Sequence, residues 1–137
     1  MSGDAQEIIR VLYVEDEKVL RDLVADFLKA LGGYEVECAI NGQEGIDKAT
    51  SWKPHFILMD VRMPVMDGPE AIRILRNRPE TAKTPIYVLT AYSDEKTLAM
   101  CEEAGADGYF TKPPSYILIN STIKKVLSQR RSDASGS

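Results

Sequence analysis

Five short apolar runs alternate with five segments of helical periodicity, and this alternation constrains the fold more than any other feature of the chain. The runs are Ile8–Val14, Tyr34–Ile40, Phe56–Asp60, Ile86–Leu89 and the very short Tyr109–Phe110. Apolar runs bounded by turn residues are typical of buried strands, and parallel strands are joined by right-handed helical crossovers. Helices must then cover both faces of the sheet. The sequence therefore predicts an α/β fold with a doubly wound, five-stranded parallel sheet.

The helices are predicted from apolar residues that recur every three or four positions. The first carries the stripe Leu20, Leu23, Val24, Phe27, Leu28 and Leu31. The others are predicted over Gln43–Trp52, Pro69–Arg76, a segment from a Ser93–Asp94 cap to Ala104, and a last helix that Ser115 caps, with Ile119, Ile123, Val126 and Leu127 on its inner side. The arginines Arg73, Arg76 and Arg78 are predicted to form a solvated face.

Composition excludes several classes of protein. The chain has 137 residues, enough for one domain with a real core, and 44% of them are hydrophobic. A net charge of -4 argues against direct nucleic-acid binding. No apolar stretch approaches the ~20 residues of a membrane span and the N-terminus does not resemble a signal peptide, so we expect a cytoplasmic protein without membrane contact. Cys38 and Cys101 are predicted to be reduced core residues, and His55 to be structural.

Polar side chains stand at the carboxyl ends of four predicted strands. Glu15 and Asp16 follow the first strand, Asp60 ends the third, Thr90 follows the fourth and Lys112 follows the fifth. In open parallel sheets ligands bind beyond these strand ends, so the five side chains are expected on one rim. Taken singly, the acids are more often helix caps, the threonine a turn residue and the lysine solvent-exposed. Their joint placement favours a functional site.

The chemistry of this rim predicts phosphoryl transfer. Three crowded carboxylates repel one another unless a cation lies among them, and an all-oxygen cluster suits Mg²⁺, with Mn²⁺ as an alternative. The hydroxyl of Thr90 and the ammonium of Lys112 suit phosphate oxygens instead. A carboxylate nucleophile flanked by such groups can accept a phosphoryl group, so Asp60 is the predicted phosphoacceptor.

Four sequence landmarks resemble the receiver domain of two-component response regulators, in particular its chemotaxis-type single-domain form. They are Val14–Glu17, Met59–Gly68, Leu89–Ala91 and Gly105–Pro113, within a match that runs from Val11 to Leu127. The resemblance implies a flavodoxin-like (βα)5 fold with strand order 2-1-3-4-5. On this basis residues 8–128 form the receiver domain, between a flexible N-terminus at 1–7 and a flexible tail or start of a linker at 129–137.

The resemblance also implies roles for particular residues. Asp16, Asp60 and the backbone carbonyl of Arg62 would bind the metal directly, and Glu15 would act through water. Thr90 and Tyr109 would form a switch pair in which the hydroxyl moves toward the phosphoryl group and the ring turns inward behind it. The large side chains of Arg62 and Tyr92 lie near the route of an attacking water, which predicts slow self-dephosphorylation.

The implied function is a phosphorylation-dependent switch that catalyses only its own phosphorylation and dephosphorylation. A sensor histidine kinase or histidine phosphotransfer protein would donate the phosphoryl group. The face around the last two helices would then contact a downstream protein, an attached effector domain or a second copy of the chain. Ile117 and Leu118, left outside the core stripe, are expected either at such a surface or partly buried against a loop.

Two alternatives remain for the same fold. One is a phosphorylation-independent binding module, which would lack the acids, the threonine or the lysine. The other is a phosphatase with an aspartate nucleophile, which commonly needs a second acid two positions after the first. Arg62 occupies that position.

Overall fold

The computed structural model describes residues 7–63, 65–91 and 93–136, with side chains as far as Arg131. The strands are β1 (Ile9–Val14), β2 (Tyr34–Ala39), β3 (Phe56–Asp60), β4 (Ile86–Thr90) and β5 (Gly108–Thr111). The helices are α1 (Lys18–Leu31), α2 (Gly42–Trp52), α3 (Gly68–Arg76), α4 (Glu95–Ala104) and α5 (Tyr116–Gly136). The predicted order of elements is confirmed, with bounds that shift by one or two residues except at the end of α5.

The five strands form one parallel sheet in the order β2-β1-β3-β4-β5, which confirms the expected topology. Strand β3 lies in the middle, between β1 and β4, with Met59 opposite Val14 and Asp60 opposite Leu89. All five residues of β3 are buried. The central position of β3 explains its unbroken apolar run, because a strand covered on both faces has no solvent-facing side.

Each face of the sheet carries its own core. Strand residues such as Leu12 and Met59 point to one face and pack with α2, α3 and the buried Cys101 of α4. Alternate residues such as Tyr13 and Leu58 point to the other face and pack with α1 and α5. This alternation follows from the two-residue period of a strand and produces the doubly wound, flavodoxin-like arrangement.

The apolar stripe predicted for α1 is wider than the surface that α1 buries. Val24 and Leu28 are buried, whereas Leu23 and Leu31 are each 48% exposed. An outer helix contacts the sheet along a narrow line, so the flanking members of a wide apolar stripe stay at its edges. The predicted stripe is therefore buried along its centre and exposed at its margins.

The prediction that three arginines form a solvated face was wrong in part. Arg73 is exposed, but Arg76 is partly buried. Its guanidinium donates to the backbone oxygens of Gly105 at 3.0 Å and Thr84 at 2.7 Å. It also pairs with Asp107 at 2.8 Å. Carbonyl groups of two loops need a partner where those loops meet, and a five-donor guanidinium supplies it. Arg76 thus joins α3 to the loops before β4 and β5.

Helix α5 continues to Gly136, through the segment whose Ser- and Arg-rich composition predicted a flexible tail. The backbone is helical there, and the Gln, Arg and Ala residues of this segment have good helix propensity. The limits proposed for the receiver domain stay a prediction. Within the described ranges, no helix combines the length and apolar character needed to cross a bilayer.

The remaining predictions outside the site have mixed outcomes. Cys101 is buried as expected, whereas Cys38 is half-buried, and both thiols are free. His55 accepts a hydrogen bond at Nδ1 from the backbone N–H of Arg10 at 2.9 Å, across the start of β1 and β3. This contact agrees with the structural role predicted for His55.

Candidate functional site

Asp60 ends β3, and its carboxylate is buried at the carboxyl edge of the sheet. The residue is 3% exposed. Its Oδ1 accepts a hydrogen bond from the backbone N–H of Arg62 at 3.1 Å, so the loop after β3 folds back over the acid. A buried carboxylate is costly without partners, and the surrounding side chains determine how this cost is offset.

Lys112 is the cationic partner of Asp60. Its Nζ lies 3.0 Å from Oδ2 of Asp60. The backbone N–H of Lys112 donates to the carbonyl of Thr90 at 2.9 Å, which aligns the residue with the end of β4. Burial works against the charge of the Lys112 ammonium, but the hydrogen bond and negative charge of Asp60 outweigh it, and the pKa of Lys112 is raised. Lys112 therefore stays protonated beside the acceptor.

Glu15 and Asp16 complete an acidic cluster with Asp60. One carboxylate oxygen from each of the three lies within 4.8 Å of the others. Asp16 is exposed, whereas Glu15 is fully buried and accepts hydrogen bonds from the Tyr13 hydroxyl and the Glu17 backbone N–H. Burial, followed by the negative charge of Asp60, raises the pKa of Glu15 to about 7.

The donor set of this cluster fits a hard divalent cation. It consists of oxygen atoms, and one acid faces solvent. A cation would relieve the repulsion from Asp60, which adds to the effect of burial in raising the pKa of Glu15. Mg²⁺ is held in proteins by one or two carboxylates together with waters, so three neighbouring acids, one of them exposed, are sufficient. The predicted trio of acids is brought together as expected.

Thr90 and Tyr109 both line a small cleft. Thr90 is 2% exposed, and its hydroxyl donates to the carbonyl of Ala91 at 3.3 Å, not to Asp60. Tyr109 is 48% exposed. The cleft between them has a volume of about 190 Å³ and is also lined by Leu98 of α4. The structure therefore contains space beside Thr90 that the Tyr109 ring does not fill.

The side chain of Arg62 pairs with Asp94. Its Nε donates to Oδ2 of Asp94 at 2.8 Å, just before α4. This hydrogen bond is the main cause of the lowered pKa of Asp94. Sequence reasoning assigned Asp94 only to capping α4 and missed this pairing, because nothing in the chain links positions 32 residues apart. Tyr92, the other predicted modulator, lies outside the described residues.

The loop between β3 and α3 contributes two residues, Asp67 and Gly68, to which sequence reasoning gave no role at the site. Asp67 caps α3 by accepting from the backbone N–H of Glu70 at 3.1 Å. Gly68 donates to the carbonyl of Val61 at 3.1 Å, and a Cβ on Gly68 would lie 3.0 Å from Val61 Cα. The Asp-Gly pair thus closes the loop tightly behind Asp60, and a helix-cap pattern before the apolar stripe of α3 was the signal that could have identified it.

A larger cavity of about 680 Å³ opens at the other end of the sheet, near Ile9, Pro54 and Pro85. None of the predicted site residues lines it. The chemistry described above depends on charged and hydroxyl groups at the carboxyl edge, so cavity size does not identify the site in this fold.

Comparisons with known proteins agree with the geometry. The family described as the response regulator receiver domain matches residues 11–124. The alkaline phosphatase synthesis transcriptional regulatory protein PhoP of Bacillus subtilis is 37% identical over 124 residues, covering 90% of this chain and 50% of that protein. The chain spans half or less of the length of the curated relatives it matches.

Solved structures show the same likeness. Chemotaxis protein CheY4 of Vibrio cholerae has a TM-score of 0.80 and 33% identity, covering 87% of this chain and 98% of that one. The receiver domain of sensor histidine kinase PA1611 from Pseudomonas aeruginosa, with a magnesium ion coordinated in its active-site cleft, has a TM-score of 0.79 and 30% identity, covering 85% of this chain and 95% of that one. The chain therefore belongs to the response regulator receiver domain family, the phosphorylation-dependent signalling domains of two-component systems.

Proposed function

We propose that this domain is a phosphorylation switch in which Asp60 accepts a phosphoryl group from a histidine kinase or histidine phosphotransfer protein. The observation that carries the proposal is the arrangement around one carboxylate. Lys112 Nζ lies 3.0 Å from Oδ2 of Asp60, and carboxylate oxygens of Glu15 and Asp16 lie within 4.8 Å. A nucleophile, a fixed cation and a cluster of oxygen donors are the groups that phosphoryl transfer requires.

In the proposed transfer, a carboxylate oxygen of Asp60 attacks the phosphorus of the donor and forms an O–P bond. The P–N bond to the donor imidazole breaks, and its electron pair leaves with the imidazole nitrogen. Lys112 stabilises the negative charge of the transferred oxygens, because its ammonium is already held at Asp60. The product is an acyl phosphate on Asp60. In its hydrolysis a water attacks the phosphorus, the P–O bond to Asp60 breaks, and inorganic phosphate leaves while the Asp60 carboxylate is restored. The domain catalyses both steps.

Mg²⁺, or Mn²⁺ in its place, would neutralise charge on the phosphoryl oxygens and on the acidic cluster when bound. The groups proposed to hold it are the side chains of Asp16 and Asp60 and the backbone carbonyl of Arg62, with Glu15 acting through a water. The oxygen-only donor set and the raised pKa of Glu15 support this assignment. The magnesium ion in the PA1611 receiver domain adds a precedent from a similar structure.

The switch is proposed to run through Thr90 and Tyr109. The Thr90 hydroxyl would leave the Ala91 carbonyl and donate to the phosphoryl group. The exposed ring of Tyr109 would then move into the cleft of about 190 Å³ behind it. This movement would change the surface formed by α4, β5 and α5.

We propose that protein contacts on this surface carry the output. Ile117 and Leu118 of α5 are 78% and 52% exposed, which favours the partner-surface interpretation over burial against a loop. The partner would be a downstream protein, an attached effector domain or a second copy of the chain. Light scattering of the wild type and an Ile117→Ser variant, each with and without phosphorylation, tests the homodimer, which predicts a mass increase only in the phosphorylated wild type.

The phosphatase alternative has no support from the geometry. Arg62, not an acid, lies two residues after Asp60 in the chain. The carboxylate of Asp94 is paired with Arg62 at 2.8 Å and is therefore not free to act as the general acid. A general acid must be free to give its proton to the leaving group, and a carboxylate with a lowered pKa is a poor proton donor at neutral pH.

A phosphate-affinity gel tests the proposed acceptor. Wild type, Asp60→Asn and the control Asp22→Asn are incubated with a small phosphodonor and Mg²⁺. Asp22 is a suitable control because it is an acid on α1 whose partner is Lys18 at 2.6 Å. We expect a shifted band for the wild type and the control and none for Asp60→Asn. Labelling that survives in Asp60→Asn would refute the assignment.

A further inference from the structure

Arg62 connects the acceptor to α4 through two different groups. Its backbone N–H donates to Oδ1 of Asp60 at 3.1 Å. Its guanidinium Nε donates to Oδ2 of Asp94 at 2.8 Å. The same residue therefore contacts the phosphoacceptor with its main chain and the start of α4 with its side chain.

The Arg62 side chain can exchange Asp94 for another anionic partner. The Arg62 side chain is 75% exposed, whereas Asp94 is only 9% exposed. Ion pairs in which one partner is solvated are weak, because water and salt screen them. A competing anion close to Arg62 can therefore displace Asp94, whose carboxylate keeps its interactions with the side chain and backbone of Thr97.

Helix α4 is held firmly at its C-terminal end. Cys101 is the one buried residue among the ten of α4, all of which the structure describes. The helix ends at Gly105, where φ is +120°, and a Cβ at that position would lie 2.9 Å from Cγ of Arg76. The carbonyl of Gly105 accepts a hydrogen bond from Nε of Arg76 at 3.0 Å. Side-chain packing and the Arg76 contact thus fix this end.

The N-terminal end of α4 has fewer constraints. The Asp94 carboxylate forms no regular helix cap, and its interactions with the side chain and backbone of Thr97 in the first turn lower its pKa less than the hydrogen bond from Arg62 does. Its backbone N–H donates to the carbonyl of Ala91 at 3.0 Å, and its carboxylate is bound by Arg62. Asp94 also lines the cleft that Thr90 and Tyr109 share. A change in the partner of Asp94 would therefore act on the wall of that cleft.

We propose that Asp94 is a positioning residue that holds the Arg62 side chain away from Asp60 until a phosphoryl group replaces Asp94 as its partner. This inference rests on the proposed function of Asp60. A phosphoryl group carries about -1.5 to -2 charges and three acceptor oxygens, against a single charge on a carboxylate. The planar guanidinium of arginine can donate to two oxygens of such a group at once. On phosphorylation the Arg62 side chain thus leaves Asp94 and binds the phosphoryl group on Asp60.

The exchange has two consequences. Arg62 over the phosphoryl group hinders the attacking water, which lengthens the lifetime of the acyl phosphate. Asp94, released from Arg62, frees the first turn of α4 to move while Cys101 and Gly105 stay fixed. Neutralising Asp94 should produce both effects, and both should require Arg62.

The first test is a double-mutant cycle on the acyl phosphate lifetime, using a small phosphodonor and Mg²⁺. Asp94→Asn should lengthen the lifetime by at least about twofold, because Arg62 no longer has a competing partner. The same substitution in an Arg62→Ala background should leave the lifetime unchanged. Glu95→Gln, which neutralises the neighbouring acid, is the matched control and should behave as wild type.

The second test is hydrogen exchange at residues 94–98, before and after phosphorylation. In the wild type we expect faster exchange in the first turn of α4 after phosphorylation and no change near Cys101. Asp94→Asn should exchange faster already without phosphorylation, and Glu95→Gln should not.

The outcomes separate this inference from the proposed function. If wild type is not labelled at Asp60, the proposed function fails and the exchange of partners falls with it. If Asp60 is labelled but Asp94→Asn changes the lifetime equally with and without Arg62, only the exchange of partners is overturned. Unchanged hydrogen exchange in the first turn of α4 on phosphorylation would also overturn it.

Discussion

Nζ of Lys112 lies 3.0 Å from Oδ2 of Asp60, although 52 residues separate them in the chain. The contact exists because β4 lies between β3 and β5, so their carboxyl ends open onto the same edge of the sheet. It joins the nucleophile proposed for phosphoryl transfer to a cation that is fixed before the donor arrives. Preorganised charge of this kind needs no rearrangement in the transition state.

Replacing Lys112 by Met is expected to slow phosphorylation of Asp60 by about 10²-fold, because the variant lacks a fixed donor for the developing charge. Labelling rates with a small phosphodonor measure the effect. Lys125→Met, which neutralises an exposed lysine of α5, is the control and should react at the wild-type rate. Equal rates for Lys112→Met and wild type would exclude a role for Lys112 in the transfer.

Mg²⁺ is expected to raise the Tm of the wild type progressively with concentration, because a ligand that binds only the folded state stabilises it. Asp16→Asn removes an exposed carboxylate of the cluster and should abolish most of this increase. Asp22→Asn lies outside the cluster and should retain it. A Tm increase that persists in Asp16→Asn would show that the cation binds elsewhere.

The Arg62→Ala, Tyr92→Ala double variant is expected to lose its phosphoryl group faster than the wild type. Both large side chains were predicted near the route of the attacking water, and removing them opens that route. The decay of the labelled protein after removal of the phosphodonor measures the lifetime. Equal lifetimes would contradict the prediction.

Stability is expected to fall at acidic pH through His55. Burial is the main cause that lowers the pKa of His55 below its ordinary 6.5, and Arg10 adds to it while Glu7 opposes it. The unfolded chain therefore binds this proton more readily than the folded protein. As the pH falls from 6.5 to the pKa of His55 in the folded protein, the free energy of unfolding decreases.

The comparison for this effect is His55→Asn, whose side-chain oxygen can still accept from the Arg10 backbone N–H but does not titrate. Urea unfolding of both proteins between pH 5 and pH 8 gives the difference. We expect wild type to lose more stability than the variant toward pH 5. Identical pH profiles would assign the acid sensitivity to other groups.

Arg76→Met is expected to lower the free energy of unfolding by roughly 2–4 kcal/mol, because the carbonyl groups and Asp107 that it binds would lose their charged donor. Arg73→Met is the matched control on the same helix. Its side chain is exposed, so we expect a change within about 0.5 kcal/mol. Chemical denaturation at neutral pH measures both, and a cost at Arg76 no larger than at Arg73 would contradict the bracing role.

The order of elements, the parallel sheet and the acids at strand ends followed from the sequence, because two-residue and 3.6-residue periods are local properties of a chain. The same local patterns located Asp60, Glu15, Asp16, Thr90 and Lys112 at one edge. The strand order was implied by resemblance to a known family, and the structure confirms it.

Tertiary structure alone decided which long side chains meet. Nothing in the sequence distinguishes the partners of Arg62 from those of Arg76. Arg62 pairs with Asp94, whereas Arg76 binds loop carbonyl groups at the amino-terminal edge of the sheet. Tertiary packing also determined which residues of α1 are buried. Leu23 and Leu28 are equally apolar, but only Leu28 is buried. Partners distant in the chain depend on the packing of whole elements, which no local period encodes.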